Sequence, residues 1–280
     1  MSRLALAVQQ YWMAELAELQ SLPQAVYDRQ PEAIHDLRAA GRRIKSTLRT
    51  FRPLVRAPLA SAVSGELDWY SHFLGEARDA EVILGNAAGL LSGRPGAEQI
   101  LIALSAERTR TLLRAESLLT DPRTAALLDQ VQELTAEPWR SGRHGRGPRR
   151  SDLLGRVAWA TSRLAADWSA GPRWGESRAG WQHRVRRRAK SVRYANESLS
   201  RQLPELSVAA AGFAKAAALL GIIQDTAVLN RVLAHWPAYL VGEAIAVRTR
   251  MAAEAERAVD VAIRNALATS DEAHPRRARR

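Results

Sequence analysis

His35, Arg38, Arg42 and Lys45 follow one another at intervals of three, four and three residues, and His183, Arg186, Lys190 and Arg193 repeat those intervals 148 positions later. Arg43 and Arg49 add charge to the first series, and Arg187 and Tyr194 belong to the second. A guanidinium presents a planar fork that matches phosphate oxygens and stays charged when partly buried, and a histidine adds a group that titrates near neutrality. Three chemistries fit such residues: a solvated helix face, a nuclease-like site, or a surface that holds a polyanion.

The repeat extends to the apolar positions. Leu37 matches Val185, Ile44 matches Val192 and Phe51 matches Leu199. At 3.6 residues per turn the basic positions fall on an arc of about 80°, centred about 110° from the apolar stripe. A face that only solvates a helix centres opposite the core. These residues flank the core instead, where a groove between helices would lie. The repeat is imperfect one turn on, where Arg49 faces Glu197 in the alignment.

A second pair of stretches follows. LGEARDAEVIL (Leu74 to Leu84) begins 39 residues after His35, and LGIIQDTAVLN (Leu220 to Asn230) begins 37 residues after His183. Each has Leu-Gly, then an aspartate four residues beyond the glycine (Asp79, Asp225) and a valine three further on. The glycines are expected to permit close approach of helices, and the aspartates to cap a helix or orient a basic neighbour.

The elements that position these residues read as helices throughout. Alanine and leucine dominate the 46% of hydrophobic residues in this 280-residue chain, and no strand alternation or hairpin signal stands out. Leu4, Val8, Tyr11, Trp12, Glu15 and Leu19 trace one stripe, and Leu112 to Leu134 trace another across Asp121-Pro122. Breaks fall at Pro31, Pro53 to Pro58, Ser92 to Gly96, Asp121-Pro122, Gly171 to Gly175 and Pro204. An all-α fold of about eight to ten helices in two halves is expected. The expected division is a helical half at 1–136, a basic Gly/Pro-rich linker at 137–151, a second helical half at 152–269 and a disordered basic tail at 270–280.

The formal net charge is +12, and only Lys45, Lys190 and Lys215 among the 41 basic residues are lysines. A GC-rich genome accounts for the arginine total, so placement has to carry the argument. The absence of cysteine removes disulfides, thiolate zinc sites and cysteine nucleophiles. The first twenty residues carry Glu15 and Glu18 in a helical pattern and do not read as a signal peptide. A soluble cytoplasmic protein without membrane contact is expected.

A histidine-led basic helix followed by a Leu-Gly and aspartate stretch, present twice and in order, resembles the CHAD domain (conserved histidine α-helical domain). The resemblance covers the chain from its first helix to about residue 265. It implies an all-helical protein of two pseudo-symmetric bundles with a basic groove or channel between them, which binds inorganic polyphosphate along those basic residues and associates with polyphosphate granules. Carried over by position, the binding residues would be His35, Arg38, Arg42, Arg43, Lys45 and Arg49, with His183, Arg186, Arg187, Lys190, Arg193 and Tyr194. Lys45 stands where the family usually has arginine, and Glu81 where aspartate is common. CHAD domains are often joined to triphosphate-tunnel domains with an alternating glutamate motif. No such motif occurs here, so a non-catalytic protein is expected, with polyphosphate-metabolising enzymes as partners.

The other classes are weaker. Metal binding by His35, Asp36, Asp79 and His72 is disfavoured by the surrounding arginines, and no metal or cofactor is expected. The eight tryptophans are scattered and do not interleave with the basic rows, so a stacking ladder for single strands is absent. Salt-sensitive nucleic-acid binding through the Arg140 to Arg150 loop and the tail is expected as a side activity; the alternative to a polyphosphate protein is a general polyanion or RNA binder. No glycine-rich phosphate loop, paired metal-spaced carboxylates or activated serine supports an enzyme. The histidines either contact phosphate or brace helix packing.

Overall fold

The structure, a computed structural model, describes residues 1–140 and 147–273; part of the expected linker and the segment from His274 lie outside the described residues. Nine α-helices account for most of what is described: α1 (Arg3–Tyr27), α2 (Ala33–Phe51), α3 (Ala57–Leu91), α4 (Glu98–Leu119), α5 (Pro122–Ala136), α6 (Arg150–Ala170), α7 (Arg178–Ser200), α8 (Glu205–Leu233) and α9 (Ala238–Ala273). Among the described residues the only extended pairing is an isolated bridge between Val55 and Trp139. The all-α expectation holds.

Local chemistry sets the boundaries. Ser2, Asp121 and Ser177 accept hydrogen bonds from the first backbone amides of α1, α5 and α7, satisfying donors that no intrahelical carbonyl reaches. Gly171 ends α6 with φ 68°, a conformation L side chains resist. Each expected break separates two helices except one that sequence reading missed: Pro237, which starts α9 after a short turn. Helix α6 begins at Arg150, inside the expected linker, and α9 continues to Ala273, with Ser270 buried.

Successive helices pack together from α1 to α4 and from α6 to α9, α5 packs on α1 and α3, and three buried clusters result. The first joins α1 to α5 and also takes Leu153 and Val157 of α6 with Ala195 and Leu199 of α7. The second lies among α6 to α9. The third closes the far end, where Ala87 and Leu91 of α3 and Ile100 of α4 meet Leu229 and Leu233 of α8 and Val241 of α9. Cores that draw on both halves fix α2 against α7 and α3 against α8. Helix α8 is long and apolar enough, by length and composition alone, to cross a membrane. In this fold it lies between α7 and α9, with Leu206, Phe213, Leu220 and Leu229 buried.

The base of α2 is anchored by Trp12, whose indole Nε1 donates to Thr47 Oγ1 at 2.6 Å inside the core. The Trp12 ring also packs on Trp139, 5.4 Å between centroids, which pins the end of α5 beside α1. On the opposite face of α2, Gly41 is buried against α3, where an added Cβ would lie 3.4 Å from Leu67 and 3.9 Å from Tyr70. Those are ordinary contact distances, so the site has room for a methyl group. Gly41→Ala is expected to stabilise the fold by about 1 kcal/mol through helix propensity. Thermal unfolding followed by circular dichroism should show a midpoint roughly 2–4 °C higher; a lower midpoint would mean that the contact is overpacked.

Candidate functional site

The two basic helices cross. Ser191 Oγ lies 3.2 Å from both Ser46 Oγ and Thr50 Oγ1, and Arg42 Nε donates to the Tyr194 hydroxyl at 3.1 Å. Arg42, Ser46 and Arg49 therefore run in the opposite sense to Tyr194, Ser191 and Arg188. Small hydroxyl side chains at the crossing allow close approach, and the longer basic residues splay around it.

The second member of each row is seated in the same way. The Arg38 guanidinium lies over Gly75 of α3, where an added Cβ would be 3.5 Å from Nη2, and Arg38 Nη1 sits 3.5 Å from Asp79 Oδ1. Arg186 lies over Gly221 of α8 more tightly, with the corresponding distance 2.9 Å. Its Nε donates to the Ala217 carbonyl at 3.3 Å and its Nη1 to Gln224 Oε1 at 2.9 Å. The repeated Leu-Gly thus makes room for an arginine head, not for a helix backbone. Asp79 orients its basic neighbour directly; Asp225 acts on Arg186 through its charge, and Gln224 makes the hydrogen bond.

Lys190 stands among these groups. Burial, followed by the charges of Arg186, Arg42 and Arg38, brings its pKa down to about 6, with Asp225 as the opposing influence. Burial is the largest cause of the lowered pKa of both Arg38 and Arg186, and the charge of Arg42 acts in the same direction on each. Among the described residues, Arg42, Arg186 and Lys190 have no carboxylate within ion-pair distance.

The remaining expected residues divide. Arg43 turns away toward α1 and pairs with the buried Glu15 at 3.2 Å. Arg193 is held by Glu197 at 2.6 Å, and Tyr11 of α1 donates to the other oxygen of that carboxylate at 3.4 Å. Tyr194 is buried and presents its hydroxyl to Arg42. Lys45 pairs with Asp68 of α3, yet burial and then Arg49 and Arg187 lower its pKa. Arg49 and Arg187 are exposed, and Arg188 is fixed to Asp167 of α6 at 2.9 Å.

His35 and His183 head their rows from the edge of the cleft. Partial burial and then Arg78 lower the pKa of His35; partial burial and then Arg187 lower that of His183. Arg78, which sequence reading did not single out, is itself bonded to Glu32 at 3.0 Å and Glu81 at 3.3 Å. It borders a cavity of about 600 Å³ whose lining also includes Arg108, Asp225 and Arg248. Among the described residues no group of three or more His, Asp or Glu side chains is arranged to hold a metal ion, and His72 lies elsewhere, 3.7 Å from Glu76.

The arrangement has a thermodynamic consequence. Between about pH 6 and the ordinary lysine value of 10.5, the unfolded chain carries a proton on Lys190 that the folded chain lacks. Stability therefore rises with pH through that window. Lys190→Met should raise the unfolding midpoint at pH 7 and flatten the rise with pH, read from denaturant titrations at several pH values. An unchanged slope would show that Lys190 is charged in the folded protein.

Comparison with known proteins places this geometry. No curated protein sequence matches the chain. Its fold is similar to that of PptA from Streptomyces chartreusis, at 22% identity and a TM-score of 0.74, covering 92% of this chain and 98% of the other. It is also similar to the CHAD domain from the plant Ricinus communis, at 20% identity and a TM-score of 0.68, over 95% of this chain and 92% of that one. The family model for the CHAD domain matches residues 10–234, a span that includes both basic helices and both Leu-Gly stretches. The chain belongs to the CHAD domain family.

Proposed function

We propose that this protein binds inorganic polyphosphate in the cleft where α2 crosses α7 and does no chemistry on it. The observation that carries this reading is the placement of Lys190 against Arg38, Arg42 and Arg186, with its pKa brought down to about 6. Asp79 pairs with Arg38, but Arg42, Arg186 and Lys190 have no carboxylate at ion-pair distance among the described residues, so positive charge is in excess here and a ligand of regular negative charge offsets it. Membership of the CHAD family, which the duplicated motif had led us to associate with polyphosphate, supports the same ligand.

Polyphosphate suits the cleft better than a nucleic acid does. It is a flexible chain with about one charge per phosphate and nothing to stack or read. At the crossing Tyr194 is buried, and the partly exposed ring of Trp159, at the α6 edge, is flanked by the Arg156 and Arg163 guanidinium groups. Each of the two related halves of the fold contributes one row, and the glycines beneath Arg38 and Arg186 set both arginine heads at matching depth. Of the proposed contacts, Arg38, Arg42, Arg186 and Lys190 form the centre, with Lys45, Arg49 and Arg187 on one flank and His35 and His183 at the edges. Arg43 and Arg193 act indirectly, through their bonds to Glu15 and Glu197. Residence on polyphosphate granules and contact with polyphosphate-metabolising enzymes complete the proposal.

Arg38→Glu combined with Arg186→Glu should abolish binding of labelled long-chain polyphosphate, with helicity by circular dichroism unchanged. Retained affinity in the folded double variant would overturn the cleft. Competition with RNA and short phosphates at about physiological salt separates the selective reading from a general polyanion binder, because every phosphate contact contributes to salt dependence alike.

The titratable groups give a second outcome. A phosphate chain in the cleft favours the charged forms of Lys190, His35 and His183, all of which have lowered pKa values in the free protein. Binding should therefore take up protons near neutrality, and affinity should rise as the pH falls from about 8 to about 6. Calorimetry in two buffers of different ionisation enthalpy measures the uptake; equal heats in both would rule out this coupling.

A further inference from the structure

The register that superimposes the basic helices also superimposes the helices that precede them. A shift of 148 residues carries Tyr11 of α1 onto Trp159 of α6, Glu15 onto Arg163, and Arg49 of α2 onto Glu197 of α7. The packing follows the same correspondence. Tyr11 bonds to Glu197 at the α1–α7 corner, and Trp159 borders a small cleft with Arg49 and Ser191 at the α6–α2 corner. The two corners occupy equivalent places but differ in charge, compensated at one and positive at the other.

At the α1–α7 corner, Glu15 is buried and paired with Arg43, and Glu197 clamps Arg193. Burial and then Glu15 and Glu197 raise the pKa of Tyr11, a sign of the negative potential there. On this side the arginines are already paired with carboxylates and offer a polyanion little free charge. The α6–α2 corner is the reverse. The Arg156 guanidinium lies 4.0 Å from the Trp159 ring centroid and donates through Nε to the Thr50 carbonyl, and Arg163 lies 5.9 Å from the same ring. Among the described residues neither arginine, nor Arg49 or Arg187, has a carboxylate within ion-pair distance. Trp159 is 40% exposed, so the arginines use its faces as a support while their outer edges remain open to solvent.

We infer that the α6–α2 corner is a second binding segment for the phosphate chain, continuous with the cleft. A long chain leaves the crossing on this side only, passing Arg49 and Arg187 and running along α6 over Arg156 and Arg163. This rests on the polyphosphate reading above and adds a direction to it: short phosphates fill the cleft, and only longer chains reach α6.

The test compares long-chain polyphosphate with tripolyphosphate. Arg156→Glu with Arg163→Glu should weaken long-chain binding several-fold and make its salt dependence shallower by about one unit for each lost phosphate contact. Tripolyphosphate affinity should stay as in the unaltered protein. Because Arg156 also bonds to the α2 backbone, Arg163→Glu alone, at an exposed position, is the second variant and should show a smaller loss in the same direction. Loss of both ligands in parallel, or of neither, overturns the α6 segment while leaving the cleft standing. An unaltered protein that binds neither ligand overturns the cleft reading and this one with it.

Discussion

Where α2 crosses α7, burial and then the charges of Arg186, Arg42 and Arg38 bring the pKa of Lys190 down to about 6, and the free energy that holds such a cluster together must come from the rest of the chain. Like charges a few ångströms apart in a partly desolvated cleft repel one another strongly. The three apolar clusters supply the opposing term, since burial of aliphatic surface is the main favourable contribution to folding. Two of them, at the base of the crossing and at the far end, take residues from both halves of the chain. The helices that carry the charge therefore cannot relax apart without uncovering core on both sides.

Smaller devices then decide which cations remain open. Gly221 lacks the Cβ that would press on the Arg186 guanidinium at 2.9 Å, and Gly75 sits beneath Arg38 at ordinary contact distance. Carboxylates immobilise others: Glu15 takes Arg43, Glu197 takes Arg193, and Asp167 takes Arg184 and Arg188. What is left is a short list of arginines with neutral partners, such as the Tyr194 hydroxyl, the Gln224 amide and the Thr50 carbonyl. A neutral partner fixes the direction of a guanidinium without cancelling its charge. That is the condition for a site that is pre-organised and still attracts an anion.

The duplication explains the fold more fully than it explains the site. Matched apolar positions give matched helices, and matched glycines give matched arginine seats. The matched positions differ at Arg49 against Glu197, and at Tyr11 and Glu15 against Trp159 and Arg163. Arg49, Trp159 and Arg163 are exposed, whereas Glu15 is buried and paired with Arg43, so the differences reach the packing of α1 as well as the surface charge.

Much of this was legible in the residues alone. The helical class, all but one of the helix breaks, the two basic rows and their place beside the core follow from composition, punctuation and the 3.6-residue period, because these are local properties of the chain. Pro237 escaped notice because a single proline after a histidine and a tryptophan leaves little other local mark. The rows themselves could not reveal which members face a ligand. Arg43 and Arg42 are neighbours in sequence, yet one reaches Glu15 on α1 and the other Tyr194 on α7. That partition, the seating of Arg186 on Gly221 and the open positive corner at Trp159 all depend on partners far apart in sequence, the nearest of them 28 residues away. Only the tertiary structure decides them, because whether an arginine is neutralised or open is a property of what packs beside it and not of its own position in a helix.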